Sequence, residues 1–175
     1  MGKLEQRKNT VRLIEAFAEF ARAHREGWKL VLAGKRFWGK DGIDAALRNR
    51  DLRGRVVEIG YVSDEDQPLL FSAAEMFVFP TLWEGFGLPI FEAMACGTPT
   101  VSSNVSCLPE IAGSAAALVN PFSVDEIAAA MSMLACDHAV RADLAARGLE
   151  RAKGFTWEAT AQKTIAVYRK AHAAT

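Results

Sequence analysis

The stretch from Phe79 to Gly97, Phe-Pro-Thr-Leu-Trp-Glu-Gly-Phe-Gly-Leu-Pro-Ile-Phe-Glu-Ala-Met-Ala-Cys-Gly, constrains this chain more than any other. Met76 to Phe79 is a short apolar, β-prone run closed by Pro80. Gly85 and Gly87 bracket a loop whose backbone can take positive φ or approach a ligand closely. Pro89 suits the first turn of a helix, where a missing N–H costs nothing. Ile90, Phe91, Met94 and Ala95 then form an apolar face, and Gly97 is a stop signal. The stretch therefore reads as strand, loop and helix, with Glu84 on the loop, Glu92 one turn into the helix and seven residues between them. The N–H groups near Phe86 to Ile90 make an anion site at the helix start. Two carboxylates beside it would repel a bare phosphate but accept protons from hydroxyl groups, so the ligand expected is a diphosphate carrying sugar or ribose hydroxyls. Taken alone, Glu84 as a loop cap and Glu92 as a solvated helix acid explain the pair as well.

The rest of the chain supplies the frame. At 175 residues it suits one domain. Lys and Arg together number 21, as do Asp and Glu, so no net field draws the protein to nucleic acid or an anionic membrane. Cys96, Cys107 and Cys136 fit a reducing cytoplasm better than a disulfide framework. His24, His138 and His172 are scattered, so no metal site is expected. There is neither a leader-like start nor an apolar run long enough to span a membrane.

Met1 to Leu4 reads as the tail of a first strand, and Asn9 as the N-cap of a helix through about Arg25 with Val11, Ile14, Phe17, Ala18 and Ala21 on its core face. Further strands are expected at Trp28 to Ala33, Arg55 to Ile59, Met76 to Phe79, Pro99 to Ser103 and Ala116 to Asn120. Helices are expected between them. Ser63 with Asp66 and Ser123 with Glu126 are spaced as capping boxes, and Thr156 caps a last helix whose Trp157, Ala161, Ile165 and Tyr168 share a face. The alternation implies an α/β, Rossmann-like, doubly wound six-stranded parallel sheet in the order 3-2-1-4-5-6. Strands one and four flank the reversal, which sets Lys8 opposite the Glu84–Glu92 loop.

Gly34-Lys35-Arg36-Phe37-Trp38-Gly39-Lys40-Asp41 nearly matches a phosphate-binding P-loop, but Asp41 stands where the Ser or Thr that holds Mg²⁺ belongs. As the loop after a strand, Gly34 and its neighbours Lys35 and Trp38 are instead candidates to lie near a nucleotide. A nicotinamide dehydrogenase is not supported, because Ile90 breaks the glycine fingerprint begun by Gly85-Phe86-Gly87.

Trp83-Glu-Gly-Phe-Gly-Leu-Pro-Ile-Phe-Glu-Ala-Met-Ala-Cys-Gly-Thr-Pro-Thr-Val101 resembles the E-x7-E signature of the retaining GT-B glycosyltransferases of family GT4, also called group 1. Ser103-Asn-Val-Ser-Cys-Leu-Pro-Glu-Ile111 and Leu4-Glu-Gln-Arg-Lys-Asn9 resemble the same family in the same order. The resemblance implies that residues 1–175 are the donor-binding, C-terminal half of a GT-B fold, without the N-terminal acceptor domain. It implies a hexosyltransferase, cytoplasmic or peripheral at the inner membrane face, moving a hexose from a UDP- or GDP-linked donor to a glycan or lipid-linked acceptor without a metal. In that family Arg7 and Lys8 would grip the donor diphosphate and offset charge on the leaving phosphate, and Glu84 would face the hexose. Glu92 would hold the ribose hydroxyls. Gly85, Phe86, Gly87 and Leu88 would line the sugar and phosphate, and backbone groups of Tyr61 and Val62 the base. A plain turn explains Tyr61 and Val62 equally well. The half alone is expected to bind donor, transfer nothing and expose surface that favours self-association. The rival readings are a GT-B-like sugar-nucleotide epimerase, a non-catalytic nucleotide-sugar binding module and, remotely, a P-loop NTPase.

Overall fold

The computed structural model describes residues 1–25, 27–36 and 40–173. After a single turn at Gln6–Lys8, helix α1 (Thr10–Ala23) leads into strand β1 (Leu30–Ala33). Helix α2 (Lys40–Leu47), strand β2 (Val56–Gly60), helix α3 (Gln67–Ala73) and strand β3 (Phe77–Phe79) follow. The second part runs through α4 (Leu88–Ala95), β4 (Thr100–Ser103), α5 (Leu108–Ala112) and β5 (Ala116–Val119) to three helices, α6 (Val124–Cys136), α7 (His138–Lys153) and α8 (Trp157–Ala173).

All strand pairs are parallel, and the fold is Rossmann-like α/β, as the alternation implies. The strand count departs from expectation. Instead of one six-stranded sheet there are a two-stranded sheet, β1-β2, and a three-stranded sheet, β3-β4-β5. These are the two halves of the expected order. The strand that should join them is reduced to one parallel bridge, Leu4 with Arg36. The cause is local: Gly2 takes φ 99°, which turns the backbone out of the extended region, and a tight turn begins at Gln6.

Two apolar clusters cover the two faces. Ile14, Phe17 and Phe20 of α1 pack with Ile127, Met131 and Leu134 of α6 and with Leu32, Val101 and Val119 of the strands. Phe71, Phe77, Phe79, Ile90, Phe91, Met94, Leu108 and Ile111 form the other cluster. Ile14, Ile90, Ile127 and Leu134 are 0% exposed, and each such side chain contributes about 1.5–3 kcal/mol by leaving water. Helix α8 differs, because it buries none of its residues and leaves Trp157 82% and Tyr168 69% exposed.

The expected caps form with variations. Ser123 Oγ accepts from the Glu126 N–H at 3.1 Å, while the Glu126 carboxylate takes the N–H of Asn120 at 2.8 Å. Ser63 Oγ likewise accepts from the Asp66 N–H, and Thr156 Oγ1 from that of Ala159. Asn9 does not cap α1 with its side chain, which is engaged elsewhere. The near P-loop falls partly outside the described residues, which lack Phe37, Trp38 and Gly39. Among the described residues no helix is long and apolar enough to cross a membrane.

Candidate active site

Gly87 at φ 92° starts α4 in the left-handed region that glycine tolerates, and a Cβ there would lie 2.8 Å from the Leu108 side chain. The loop before it folds back onto the start of the chain. Leu82 N–H donates to the Arg7 carbonyl at 2.9 Å, and the Thr81 hydroxyl lies 2.9 Å from the same oxygen. This brings residues 7–8 against residues 81–84 across the sheet's reversal point, where the strand order placed them.

Glu84 is the hub. Lys8 Nζ donates to Glu84 Oε1 at 2.6 Å and Arg7 Nη1 to the same oxygen at 2.7 Å. The Lys8 and Glu84 side chains are only 13% and 12% exposed, against 40% for Arg7. The pair therefore sits in a medium of lower effective dielectric than surface ion pairs. Arg7 also pairs with Glu5 at 2.8 Å. The Glu84 backbone is held from the other side: Ser106 Oγ donates to its carbonyl at 2.7 Å, and Cys107 Sγ lies 3.2 Å from it. In the sequence Ser106 and Cys107 stand out only as part of the Ser103–Ile111 run, and neither contact is legible there. Ser106 at φ 60° is one of two non-glycine residues with positive φ among those described, and nothing in its local sequence marks that.

Glu92, half-buried on α4, accepts from Gln67 Nε2 at 2.7 Å. Burial, then Asp64, raises its pKa above the usual carboxylate value, while the Gln67 hydrogen bond, the terminal amine and Lys8 oppose the rise. Gln67 carries no sequence signal; only the packing of α3 beside α4 reveals it. Tyr61 and Val62 lie in the β2–α3 turn that leads to Gln67, and Tyr61 is 71% exposed. Gly34 N–H donates to the Gly60 carbonyl at 2.6 Å, and a Cβ on Gly34 would collide with the Gly2 carbonyl, so close backbone approach accounts for this glycine. Phe86 is 45% exposed and stacks on Phe91 with centroids 5.4 Å apart; Leu88 is 48% exposed, and Gly85 has open space around it. In the first turn of α4 the Ile90 N–H donates to the Gly87 carbonyl at 3.0 Å, and Pro89 carries no N–H. Arg7 and Lys8 thus meet on Glu84, and the Lys8 charge also reaches Glu92.

The raised pKa gives a pH dependence. Ionised Glu92 is the better acceptor for ribose hydroxyls, so affinity for a nucleoside should fall as pH drops through the raised value. A nucleoside is the right probe, because it has no phosphate to titrate. Glu92→Gln should flatten the profile measured by calorimetry between roughly pH 5 and 8. An unchanged profile in that variant would assign the dependence elsewhere. For folding the sign is opposite: the buried charge is a cost at neutral pH, relieved as pH falls.

A model of the family described as "Glycosyl transferases group 1" matches residues 1–151. The chain is 41% identical over 169 residues to O-antigen chain mannosyltransferase B of Escherichia coli, a match covering 97% of this chain and 44% of that protein. Among solved structures it superposes on sucrose-phosphate synthase from Thermosynechococcus elongatus with TM-score 0.85 and 30% identity, covering 99% of this chain and 45% of the other. It also superposes on the C-terminal domain of a glycosyl transferase group 1 family protein (LpcC) from Francisella tularensis, with TM-score 0.79 and 26% identity, over 87% of this chain and 82% of that one. The chain spans less than half the length of the curated relatives that it matches along nearly all of its own, 44% of mannosyltransferase B and 20% of the serotype-specific mannosyltransferase WbdA of Escherichia coli.

Proposed function

From the premise that this chain belongs to the glycosyl transferases group 1 family, we propose that it is the donor-binding half of a retaining hexosyltransferase. The carrying observation is the Lys8–Glu84 pair held at the start of α4, one helical turn from Glu92. Lys8 and Arg7 take the donor diphosphate. Without donor they neutralise Glu84; when the diphosphate arrives it competes for the same cations and leaves Glu84 facing the hexose. As the bond to the leaving phosphate breaks, negative charge grows on that phosphate beside two fixed cations, which stabilises the transition state without a metal. Glu92, oriented by Gln67, holds the ribose, and the turn at Tyr61 and Val62 holds the base beside Gly34. Backbone groups of Gly85 to Leu88 contact sugar and phosphate. The mannosyltransferase names of the relatives support mannose as the hexose and a glycan as the acceptor. The donor is UDP- or GDP-linked. Three free cysteines accord with a cytoplasmic location.

The test is a thermal-shift panel of UDP-, GDP-, ADP- and dTDP-sugars without divalent ions. One donor should raise the melting midpoint, because ligand binding stabilises by mass action. A shift that needs Mg²⁺, or one produced by free nucleoside triphosphate alone, would sink the reading. Robust transfer to acceptors by these 175 residues alone would show that they are more than a donor-binding half. The roles of the glutamates separate in a second experiment. Glu92→Ala should weaken binding of the free nucleoside diphosphate about tenfold, the loss of one charged hydrogen bond, whereas Glu84→Ala should not. Equal losses would reject the assignment.

A further inference from the structure

An aromatic row runs from the loop before α4 to the connection between α7 and α8. Phe86 stacks on Phe91 of α4, with planes inclined by 29°. Phe91 in turn meets Phe155, their centroids 4.2 Å apart and planes inclined by 44°. Phe91 is buried, while Phe86 and Phe155 are each half-exposed. The ring at the far end of the row thus helps to close the buried one from solvent, and aromatic pairs at these distances attract beyond the area they bury.

Phe155 has a fixed seat. Its N–H donates to the Ala152 carbonyl at 3.1 Å, and the Arg151 guanidinium lies 5.2 Å from the centre of its ring. Arg151 is anchored in turn: Nη2 donates to the Glu110 carbonyl at 2.6 Å and Nε to that of Ile111 at 3.0 Å. Those carbonyls belong to the last turn of α5, where a helix has no partner of its own for them. Helix α5 follows directly on Ser106 and Cys107, which hold the Glu84 carbonyl. A Cβ on Gly148 of α7 would come within 3.2 Å of the Met94 side chain, so α7 and α4 also lie close. The end of α7 therefore braces α5 through Arg151 and α4 through Phe155.

Phe86 depends on that brace more than its neighbours do. Gly85 and Gly87 flank it, and Gly87 stands at φ 92°, so the backbone between them has little conformational preference of its own. Glu84 is held by Lys8, Arg7 and Ser106, whereas Phe86 is held by its ring against Phe91.

We propose that Phe155 is a positioning residue for the sugar end of the donor site. Stacked on Phe91, it keeps that ring against Phe86, and through Phe86 it fixes the Gly85–Gly87 backbone that receives the hexose. What that backbone touches rests on the donor-binding reading; the hold on Phe86 does not. The diphosphate depends on Lys8 and Arg7, so the row matters for the sugar more than for the nucleotide.

The experiment compares the 175-residue chain with Phe155→Ala and Phe155→Tyr, titrated by calorimetry with GDP-mannose against GDP and with UDP-glucose against UDP. For the pair that binds wild type, Phe155→Ala should lower affinity for the nucleotide-sugar about three- to tenfold, the worth of one aromatic pair, and leave that for the diphosphate within about twofold. Phe155→Tyr keeps the ring and should restore both. Backbone nitrogen relaxation without ligand is the second readout. The order parameters of the Phe86 and Gly87 amides should fall from about 0.85 toward about 0.6 in Phe155→Ala and stay high in Phe155→Tyr. Unchanged nucleotide-sugar affinity, equal losses for sugar and diphosphate, or unchanged order parameters in Phe155→Ala would each overturn the proposal. If Phe155→Ala does not fold, Phe155→Leu, which removes the ring but keeps apolar volume, takes its place with the same expectations. A wild-type chain that binds neither nucleotide-sugar sinks the donor reading instead, and the relaxation measurement then decides by itself whether Phe155 holds Phe86.

Discussion

Replacing Lys8 by alanine should lower affinity for the donor's nucleoside diphosphate up to about a hundredfold and leave affinity for the nucleoside nearly unchanged. The Lys8 side chain is 13% exposed, and its ammonium lies 2.6 Å from Glu84 and 4.5 Å from the centre of the Phe79 ring. Its charge is therefore poorly screened, and a diphosphate entering the crevice meets it at close to full strength. Arg7 contacts the same carboxylate but is 40% exposed, so Arg7→Ala should cost much less, within the range of screened surface pairs. The remaining arginine keeps Glu84 compensated in Lys8→Ala, so the fold should tolerate the change. Titration calorimetry at two salt concentrations checks this. The wild-type diphosphate affinity should fall with salt and that of Lys8→Ala should fall less. A larger loss from Arg7→Ala, or an equal loss for nucleoside and diphosphate, would remove Lys8 from its proposed role.

The largest single-residue effect on stability is expected at Asn9. Its Nδ2 donates to the carbonyls of Pro80 at 2.9 Å and Pro121 at 2.6 Å, and the residue is 4% exposed. It thereby ties the start of α1 to the segments that follow β3 and β5. Its Oδ1 accepts from Arg12 at 3.0 Å. Asn9→Ala would strip both carbonyls of this donor and leave an alanine at φ 58°, a conformation that asparagine tolerates and alanine does not. Together these should cost about 2–4 kcal/mol, or roughly 5–15 °C in melting midpoint. Asn9→Gly keeps the backbone conformation and loses only the side-chain hydrogen bonds, so it should fall about 1 kcal/mol short of that cost. Because Pro80 precedes the Thr81–Glu84 loop, both variants should also weaken diphosphate binding. Denaturant midpoints within about 0.5 kcal/mol of wild type for Asn9→Ala would show that the two hydrogen bonds carry no net stability.

Much of this protein was legible from its sequence. The helix of Leu88–Ala95 and its glycine start, the capping serines at 63 and 123, the threonine at 156 and the parallel β–α alternation all follow from spacings of a few residues. Local spacing is what propensity, hydrophobic period and turn chemistry report. The meeting of Lys8 with Glu84 was legible too, one step removed, because a doubly wound order puts the loops after strands one and four side by side. Other features were decided only by the tertiary structure. Asn9 stands where an N-cap belongs, yet its amide bonds carbonyls 71 and 112 residues away. Gln67 looks like any first-turn residue until packing brings it within 2.7 Å of Glu92. Ser106 and Cys107 look like turn residues until they hold the Glu84 carbonyl. The tail of a first strand, expected from Met1 to Leu4, is one bridge of Leu4 to Arg36 beside an open slot between β1 and β3. In each case the side chain or strand had a local and a distant way to satisfy the same hydrogen-bonding groups. Sequence spacing describes only the local one; the distant one depends on which surfaces the packed helices bring within about 3 Å, and that is a property of the assembled core.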